Sequence, residues 1–201
     1  MIKVNGKLLA GGLLGKVLLG GLLLGSLSAF SSAVWAEPNI CPPLLDSTQR
    51  ELHSTESIDL CQFTGQPLLI VNTASHCGFT GQFKGLEALH KLYAPKGLVV
   101  LGFPSNDFRQ EEKDEGKTAE VCFINYGVTF VMLSTSAVAK GQLNPVFKAL
   151  KNMGAPLPRW NFHKYLINVD GELVGTFAST TEPESAEMKQ MLELLVKSPS
   201  Q

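Results

Sequence analysis

The chain has 201 residues, of which 17 are basic and 18 acidic, so its formal charge is −1. This length suits one domain, and the near-neutral charge excludes the strongly basic composition typical of nucleic-acid-binding proteins. Hydrophobic residues make up 44% of the chain, which excludes intrinsic disorder and is enough for one sizeable core.

The first 36 residues have the pattern of an export signal. They contain three lysines, no acidic residue, ten leucines and seven glycines, and residues 17–36 carry no charge. Small residues at Val34 and Ala36 suit cleavage before Glu37. We therefore expect a signal peptide over residues 1–36, a single domain over 37–201 and a periplasmic location. An uncleaved membrane anchor is the alternative, because about 20 apolar residues reach across a bilayer.

The first elements after this signal follow in the order strand, helix, strand. Residues 67–73 are a short, continuous apolar run with β-branched side chains, which predicts a buried strand. Residues 81–93 carry apolar side chains at helical spacing, and Pro95 followed by Gly97 ends this helix. Residues 98–103 are again all apolar and predict a second buried strand.

The second half of the chain predicts six further elements. They are a helix at 118–125, a weak strand at 128–133, a helix at 143–153, strands at 162–169 and 172–177, and a closing helix at 183–196. Asp170 and Gly171, between the last two strands, are a residue pair typical of a tight hairpin. An α/β order that ends in an antiparallel pair predicts a mixed central sheet with helices on both faces.

Four cysteines follow the expected cleavage site, and their spacing limits their chemistry. They are Cys41, Cys61, Cys77 and Cys122. No two have the C-x-x-C spacing of zinc ribbons or of thioredoxin-type redox motifs. The histidines are scattered, so the sequence predicts no metal and no cofactor. Since an even number of cysteines in an exported protein favours disulfides, we interpret them as one structural and one catalytic pair.

Cys77 lies in the turn between the first predicted strand and its helix. Reactive groups collect at the carboxyl ends of strands in such sheets. Backbone N–H groups at the start of a helix stabilise a thiolate. Gly78 permits close approach to the sulfur, and Thr80 is predicted to cap the helix. The position therefore favours a reactive thiol over an inert one.

The sequence around Cys77 resembles the active-site signature of the glutathione peroxidase family. The resemblance starts at Asn72–Thr80 and continues in the same order through 83–89, 101–106, 126–130, 160–162 and Lys164 with Tyr165. It covers roughly residues 60–180. The chain is similar to the branch that uses cysteine instead of selenocysteine. The resemblance implies a thioredoxin-like fold and a thiol-dependent peroxidase.

The resemblance also implies a catalytic set of four residues. Cys77 corresponds to the peroxidatic residue, and Trp160 and Asn161 correspond to the pair whose N–H groups point at the sulfur. The catalytic glutamine is Gln110 if this segment is one residue shorter than in the family, whereas an alignment without a gap places Glu111 there. Because a carboxylate beside a thiolate raises the thiol pKa, Gln110 is preferred.

The other cysteines receive different roles. Family members of the two-cysteine type carry their resolving cysteine at the position of Cys122. A disulfide requires Cα atoms within roughly 7 Å, so we expect residues 118–125 to unfold locally during turnover. Cys41 and Cys61 lie outside the catalytic set, and the expected compartment and even cysteine count favour a structural disulfide between them.

The implied substrates are hydrogen peroxide and organic or lipid hydroperoxides, with a thioredoxin-like protein or glutathione as the reductant. The short connection from Cys122 to Tyr126 is similar to that of monomeric members with open sites. A disulfide oxidoreductase is disfavoured because no C-x-x-C is present. A peroxiredoxin is disfavoured because Thr73 lies four residues before Cys77 instead of three. A peroxide sensor or thiol–disulfide relay that uses the same two cysteines stays as the alternative.

Overall fold

A computed structural model describes residues 40–197, so the predicted signal peptide lies outside the described residues. Its strands are β1 (Thr48–Arg50), β2 (Ser57–Asp59), β3 (Leu68–Thr73), β4 (Val99–Pro104), β5 (Val131–Met132), β6 (Lys164–Ile167) and β7 (Leu173–Phe177). Its α-helices are α1 (Gln82–Tyr93), α2 (Glu115–Ala119), α3 (Pro145–Asn152) and α4 (Ala186–Lys197). A π-helical turn, Glu120–Asn125, directly follows α2, and 3₁₀ turns lie at Leu60–Phe63 and Ala94–Lys96. Among these residues no helix is both long and apolar enough to cross a bilayer.

Five strands form a mixed sheet in the order β5-β4-β3-β6-β7. The central strand β3 pairs parallel with β4 and antiparallel with β6. Beyond them, β5 is parallel to β4 and β7 is antiparallel to β6. The carboxyl ends of β3 and β4 therefore meet the amino end of β6 at one edge of the sheet. The topology confirms the predicted α/β fold.

Helices cover both faces of this sheet, as the apolar pattern of β3 requires. All six residues of β3 are buried. Leu69 and Val71 pack with residues of α1 and α4, whereas Leu68 and Ile70 pack in a second cluster with residues of α3. Because successive side chains of a strand point to opposite faces, the continuous apolar run reports a strand that is covered on both sides.

Two predicted elements differ from the observed ones. The helix predicted at 118–125 is the five-residue α2, which begins at Glu115, followed by the π-helical turn. The strand predicted at 128–133 pairs only at Val131 and Met132. A Cβ atom at Gly102 of β4 would overlap the sulfur of Met132, so this pairing depends on the glycine.

The chain before the sheet is tied to it by a disulfide. Cys41 and Cys61 are bonded, with a Cα–Cα distance of 5.3 Å, which confirms the predicted structural pair. The bond joins the segment before β1 to the 3₁₀ turn that follows β2. Leu44 and Leu45 in this segment are buried against the α3 side of the core, so the bond fastens a part of the core.

Candidate active site

Three segments that are distant in sequence meet at one edge of the sheet. Cys77 follows β3, Gln110 follows β4, and Trp160 with Asn161 precedes β6. Because β4 is parallel and β6 antiparallel to β3, these segments lie at the same end of the three strands. The backbone N–H of His76 donates to the carbonyl oxygen of Gln110 at 2.9 Å. The structure thus joins the Cys77 turn and the Gln110 loop.

Asn72, the last residue but one of β3, holds the third segment in place. Its side chain is fully buried. Its Nδ2 donates to the carbonyl oxygen of Trp160 at 3.1 Å, and its Oδ1 accepts from the N–H of His163 at 3.0 Å. An asparagine in a strand that is otherwise almost entirely apolar is the sequence signal for a structural role, which the spacing of motifs alone does not reveal.

The turn that carries Cys77 is closed by Thr80. Its Oγ1 accepts from the N–H of Cys77 at 3.0 Å and donates to the carbonyl oxygen of Ala74 at 2.9 Å. The prediction that Thr80 caps α1 is therefore wrong, since α1 begins without a side-chain cap. The hydroxyl instead satisfies backbone polar groups of the turn.

Cys77 itself has a free and largely buried thiol, with 8% of the residue exposed. The backbone N–H of Phe79 points at Cys77 Sγ at an N–S distance of 3.5 Å. The turn therefore supplies one donor to the sulfur before any side chain is considered.

Gln110 and Asn161 are in direct contact. Asn161 Nδ2 donates to Gln110 Oε1 at 2.9 Å. Asn161 is fully buried, and its Oδ1 has no hydrogen-bond partner within the described residues. Since Gln110 accepts through its oxygen, its own NH₂ group is available to another acceptor. The structure thus brings together the two amides that the gapped alignment selects.

Glu111 is engaged elsewhere. Its Oε1 accepts from the N–H of Ser75 at 3.3 Å, from the Ser75 hydroxyl, from the N–H of Glu112 at 2.8 Å and from Thr118 Oγ1 at 3.2 Å. Burial raises the pKa of this carboxyl group, although the donors act in the opposite direction. Glu111 therefore contacts the Cys77 turn and α2, whereas Gln110 contacts Asn161.

Trp160 borders an open cavity of 530 Å³. Its indole is 41% exposed and lies 5.4 Å from the Phe108 ring, measured between ring centroids. Phe79 contributes to the apolar wall and Arg159 is the cavity's one arginine. A cavity of 630 Å³ against α3 is larger, but no cysteine or histidine lines it. The cavity beside Trp160 is therefore the one that adjoins the candidate site.

Cys122 lies in the π-helical turn and is 1% exposed. Burial, and then the charge of Glu111, raises the pKa of its thiol to about 12. Cys77 and Cys122 are both unbonded and belong to the same hydrophobic cluster. In this arrangement Cys122 is a poor nucleophile, so its surroundings must change before it attacks another sulfur.

The other two cysteines, Cys41 and Cys61, form a disulfide with each other. Cys41, Asp46 and Cys61 form a close group of three potential metal ligands among the described residues, but the two sulfur atoms are bonded to each other. The division of the four cysteines into a bonded pair and a free pair is the one that the sequence predicts.

The sequence is similar to those of known proteins. The family model described as glutathione peroxidase matches residues 45–151. A glutathione peroxidase of Lactococcus lactis is 40% identical over 137 residues, which cover 66% of this chain and 87% of that protein. A glutathione peroxidase-like peroxiredoxin of Schizosaccharomyces pombe is 42% identical, covering 61% and 81%. A hydroperoxy fatty acid reductase of Synechocystis is 37% identical, covering 67% and 88%.

Solved structures show the same fold. The crystal structure described as Trgpx in apo form has a TM-score of 0.62 and 32% identity, covering 80% of this chain and 99% of that one. The T. cruzi GPX1 structure has a TM-score of 0.59 and 25% identity, covering 76% and 95%. The DsbF structure of Mycobacterium tuberculosis, at 14% identity and a TM-score of 0.55, is similar in fold alone. The thioredoxin-like fold expected from the sequence is thereby confirmed.

Proposed function

The chain belongs to the glutathione peroxidase family and is a thiol-dependent peroxidase, and we propose that the thiolate of Cys77 is the group that attacks the peroxide. The observation that carries this proposal is the meeting of three segments at one edge of the sheet. At that edge Cys77 Sγ accepts from the Phe79 N–H, the neighbouring His76 N–H donates to the backbone of Gln110, and the side chains of Gln110 and Asn161 are hydrogen-bonded to each other. Trp160 adds an indole N–H to the same segment as Asn161.

In the first step, the Cys77 sulfur attacks one oxygen of the peroxide and the O–O bond breaks. The other oxygen leaves as water or as an alcohol once it has taken a proton, and Cys77 becomes a sulfenic acid. The side-chain N–H groups of Gln110, Trp160 and Asn161 are proposed to stabilise the thiolate and the charge on the leaving oxygen. Neutral donors suit both tasks because they add no competing negative charge.

In the second step, Cys122 is proposed to resolve the sulfenic acid. Its sulfur bonds to the Cys77 sulfur, the S–O bond breaks, and the oxygen leaves as water. A thioredoxin-like protein or glutathione then reduces the disulfide. The high thiol pKa of Cys122 in the closed structure supports the expectation that the segment around it opens before this step.

We propose hydrogen peroxide and lipid hydroperoxides as substrates. A Synechocystis relative is named for the reduction of hydroperoxy fatty acids. In this chain the open cavity of 530 Å³ beside Trp160, with its Phe79 wall, offers room and apolar contact for an acyl chain. We propose that the protein acts as a monomer.

An exported, periplasmic location is also a proposal. It is supported by the lysine-led apolar segment at residues 1–36 and by the Cys41–Cys61 disulfide. Structural disulfides persist in oxidising compartments and are rare in the cytosol.

The test compares wild type with Cys77→Ser in assays of peroxide consumption. Each protein is supplied in parallel with glutathione and with a thioredoxin system. The serine variant should fold normally and lose activity with both reductants, because a hydroxyl is far less nucleophilic than a thiolate near neutral pH. Substantial remaining activity would show that the reacting sulfur is not Cys77, and the ratio of the two wild-type rates identifies the reductant.

A further inference from the structure

One carboxylate links the turn that carries Cys77 to the helix that precedes Cys122. Glu111 Oε1 accepts from both the backbone N–H and the hydroxyl of Ser75, two residues before Cys77. The same oxygen accepts from Thr118 Oγ1, at 3.2 Å, in α2. Glu111 therefore contacts the two segments whose cysteines must meet during turnover.

This contact is buried. Glu111 is 7% exposed and Thr118 is fully buried. A buried carboxylate depends on the donors around it, because water does not replace them. The link between Glu111 and Thr118 is therefore stronger than a comparable contact at the surface.

Apart from the buried Ala119 and Cys122, the remainder of the segment 115–125 is held weakly. Its α-helical part spans five residues, and its π-helical part belongs to a class of helix that occurs only in short stretches. Phe123 and Ile124 are 37% and 76% exposed, so the turn buries little apolar surface beyond Cys122. The ion pair between Arg50 and Glu115 is partly exposed and thus contributes little.

We propose that Glu111 is a positioning residue that holds segment 115–125 against the Cys77 turn through Thr118. The release of Thr118 then limits the rate at which Cys122 reaches oxidised Cys77. This inference rests on the proposed role of Cys122 as the resolving cysteine. When the Cys77–Cys122 disulfide forms, the Cys122 thiol is oxidised and the sulfenic sulfur of Cys77 is reduced. The new S–S bond replaces the S–O bond, and the oxygen leaves as water with the thiol proton.

The test uses a pair of variants at one position. Thr118→Val keeps the shape of the side chain and removes the hydroxyl, whereas Thr118→Ser keeps the hydroxyl. Each reduced protein receives one equivalent of hydrogen peroxide, and samples quenched over time are analysed by mass spectrometry. The formation of sulfenic acid and that of the Cys77–Cys122 disulfide are thereby followed separately.

Thr118→Val should form the disulfide about tenfold faster than wild type, since the loss of a hydrogen bond to a charged group shifts an opening equilibrium by at least that factor. Its sulfenic acid should form at the wild-type rate, and hydrogen exchange of the amides in 115–125 should accelerate. Thr118→Ser should behave like wild type. Arg50→Ala, which breaks the surface ion pair of the same helix, should leave the disulfide rate within about twofold of wild type.

An unchanged or slower disulfide rate in Thr118→Val would overturn the proposal. Glu111→Gln provides a second test by keeping the size of the side chain and removing its charge, and it should accelerate the disulfide step as well. If wild type forms no Cys77–Cys122 bond at all, the failure lies with the proposed resolving role. If that bond forms and neither variant accelerates it, the failure lies with Glu111 alone.

Discussion

Two residues next to the paired amides have a left-handed backbone. Arg109, with φ 60°, precedes Gln110, and Phe162, with φ 62°, follows Asn161. This conformation costs about 1–2 kcal/mol for a residue other than glycine. Phe162 keeps it because its N–H donates to the Asn72 carbonyl oxygen at 2.6 Å and its ring is fully buried. Strain of this kind concentrates at active sites, and here it flanks both of the paired amides.

The contact between these amides yields the first prediction. Gln110→Ala and Asn161→Ala should each lower the rate of Cys77 oxidation by about one to three orders of magnitude, because each removes donors near the developing charge. Stopped-flow mixing with peroxide measures this rate. A loss in Glu111→Ala together with a normal rate in Gln110→Ala would show that the ungapped alignment is correct.

His163 gives the protein an acid-sensitive group. Burial, and then the positive charges of Lys164 and Arg159, lowers the pKa of its imidazole to about 4. Its Nε2 has no hydrogen-bond partner among the described residues, and its ring lies 4.9 Å from that of Tyr165. Within the described part of the chain, no hydrogen bond at Nε2 therefore compensates for a positive charge on the ring.

The second prediction concerns the stability of the fold at acidic pH. Unfolded histidine titrates near pH 6.5, so between about pH 6.5 and the folded pKa of about 4 the unfolded state binds more protons. The free energy of unfolding should therefore decrease as the pH falls through this range. Urea unfolding at about pH 7 and about pH 5 measures the decrease, which His163→Phe should reduce. An equal decrease in wild type and variant would assign it to other groups.

At the level of elements, burial decides what the sequence can predict. The strands β3 and β4 and the helix α1 were predictable to within a residue or two, because strands covered on both faces give continuous apolar runs. The hairpin of β1 and β2 was not predictable, since its strands are three residues long and mostly polar and exposed. A π-helical turn has no distinct pattern of its own, so Glu120–Asn125 was expected as an ordinary helix.

Part of the candidate site could also be predicted from the sequence, and part could not. Cys77 was recognisable from its turn, and the roles proposed for Gln110, Trp160 and Asn161 rest on a family resemblance. The apolar run around Asn72 marks it as a structural residue, but its partners and those of Glu111 were not predictable, because only the folded sheet brings the joined segments together.

The segment that contains Cys122 yields the third prediction. In Cys122→Ser the first oxidation of Cys77 should proceed normally, but turnover with a thioredoxin system should stop. Sulfinic acid should then accumulate at Cys77, since no neighbouring thiol traps the sulfenic acid. Mass spectrometry detects both the sulfenic and the sulfinic acid of Cys77. Continued turnover of this variant with glutathione would mean that an external thiol resolves the enzyme.

For the molecule as a whole, the disulfide between Cys41 and Cys61 yields the fourth prediction. The bond spans a sequence separation of 20 residues. Replacing both cysteines by alanine should lower the free energy of unfolding by about 3 kcal/mol in the chain-entropy account. Urea unfolding measures this change. Peroxide consumption should stay at the wild-type rate, and a large loss of activity would show that the bond also shapes the catalytic edge.

Because β6 comes late in the chain, the active site is completed only late in synthesis. Lys164 of β6 pairs with Val71 of β3, although the ribosome adds β6 long after β3 is complete. A nascent chain or a proteolytic fragment that ends before Trp160 carries Cys77 but lacks Trp160, Asn161 and β6. Such a chain has the thiol and Gln110 but lacks the other two donors proposed for the sulfur, the Trp160 indole and the Asn161 amide. We therefore expect peroxidase activity only after synthesis has passed Asn161 and β6 has paired with β3.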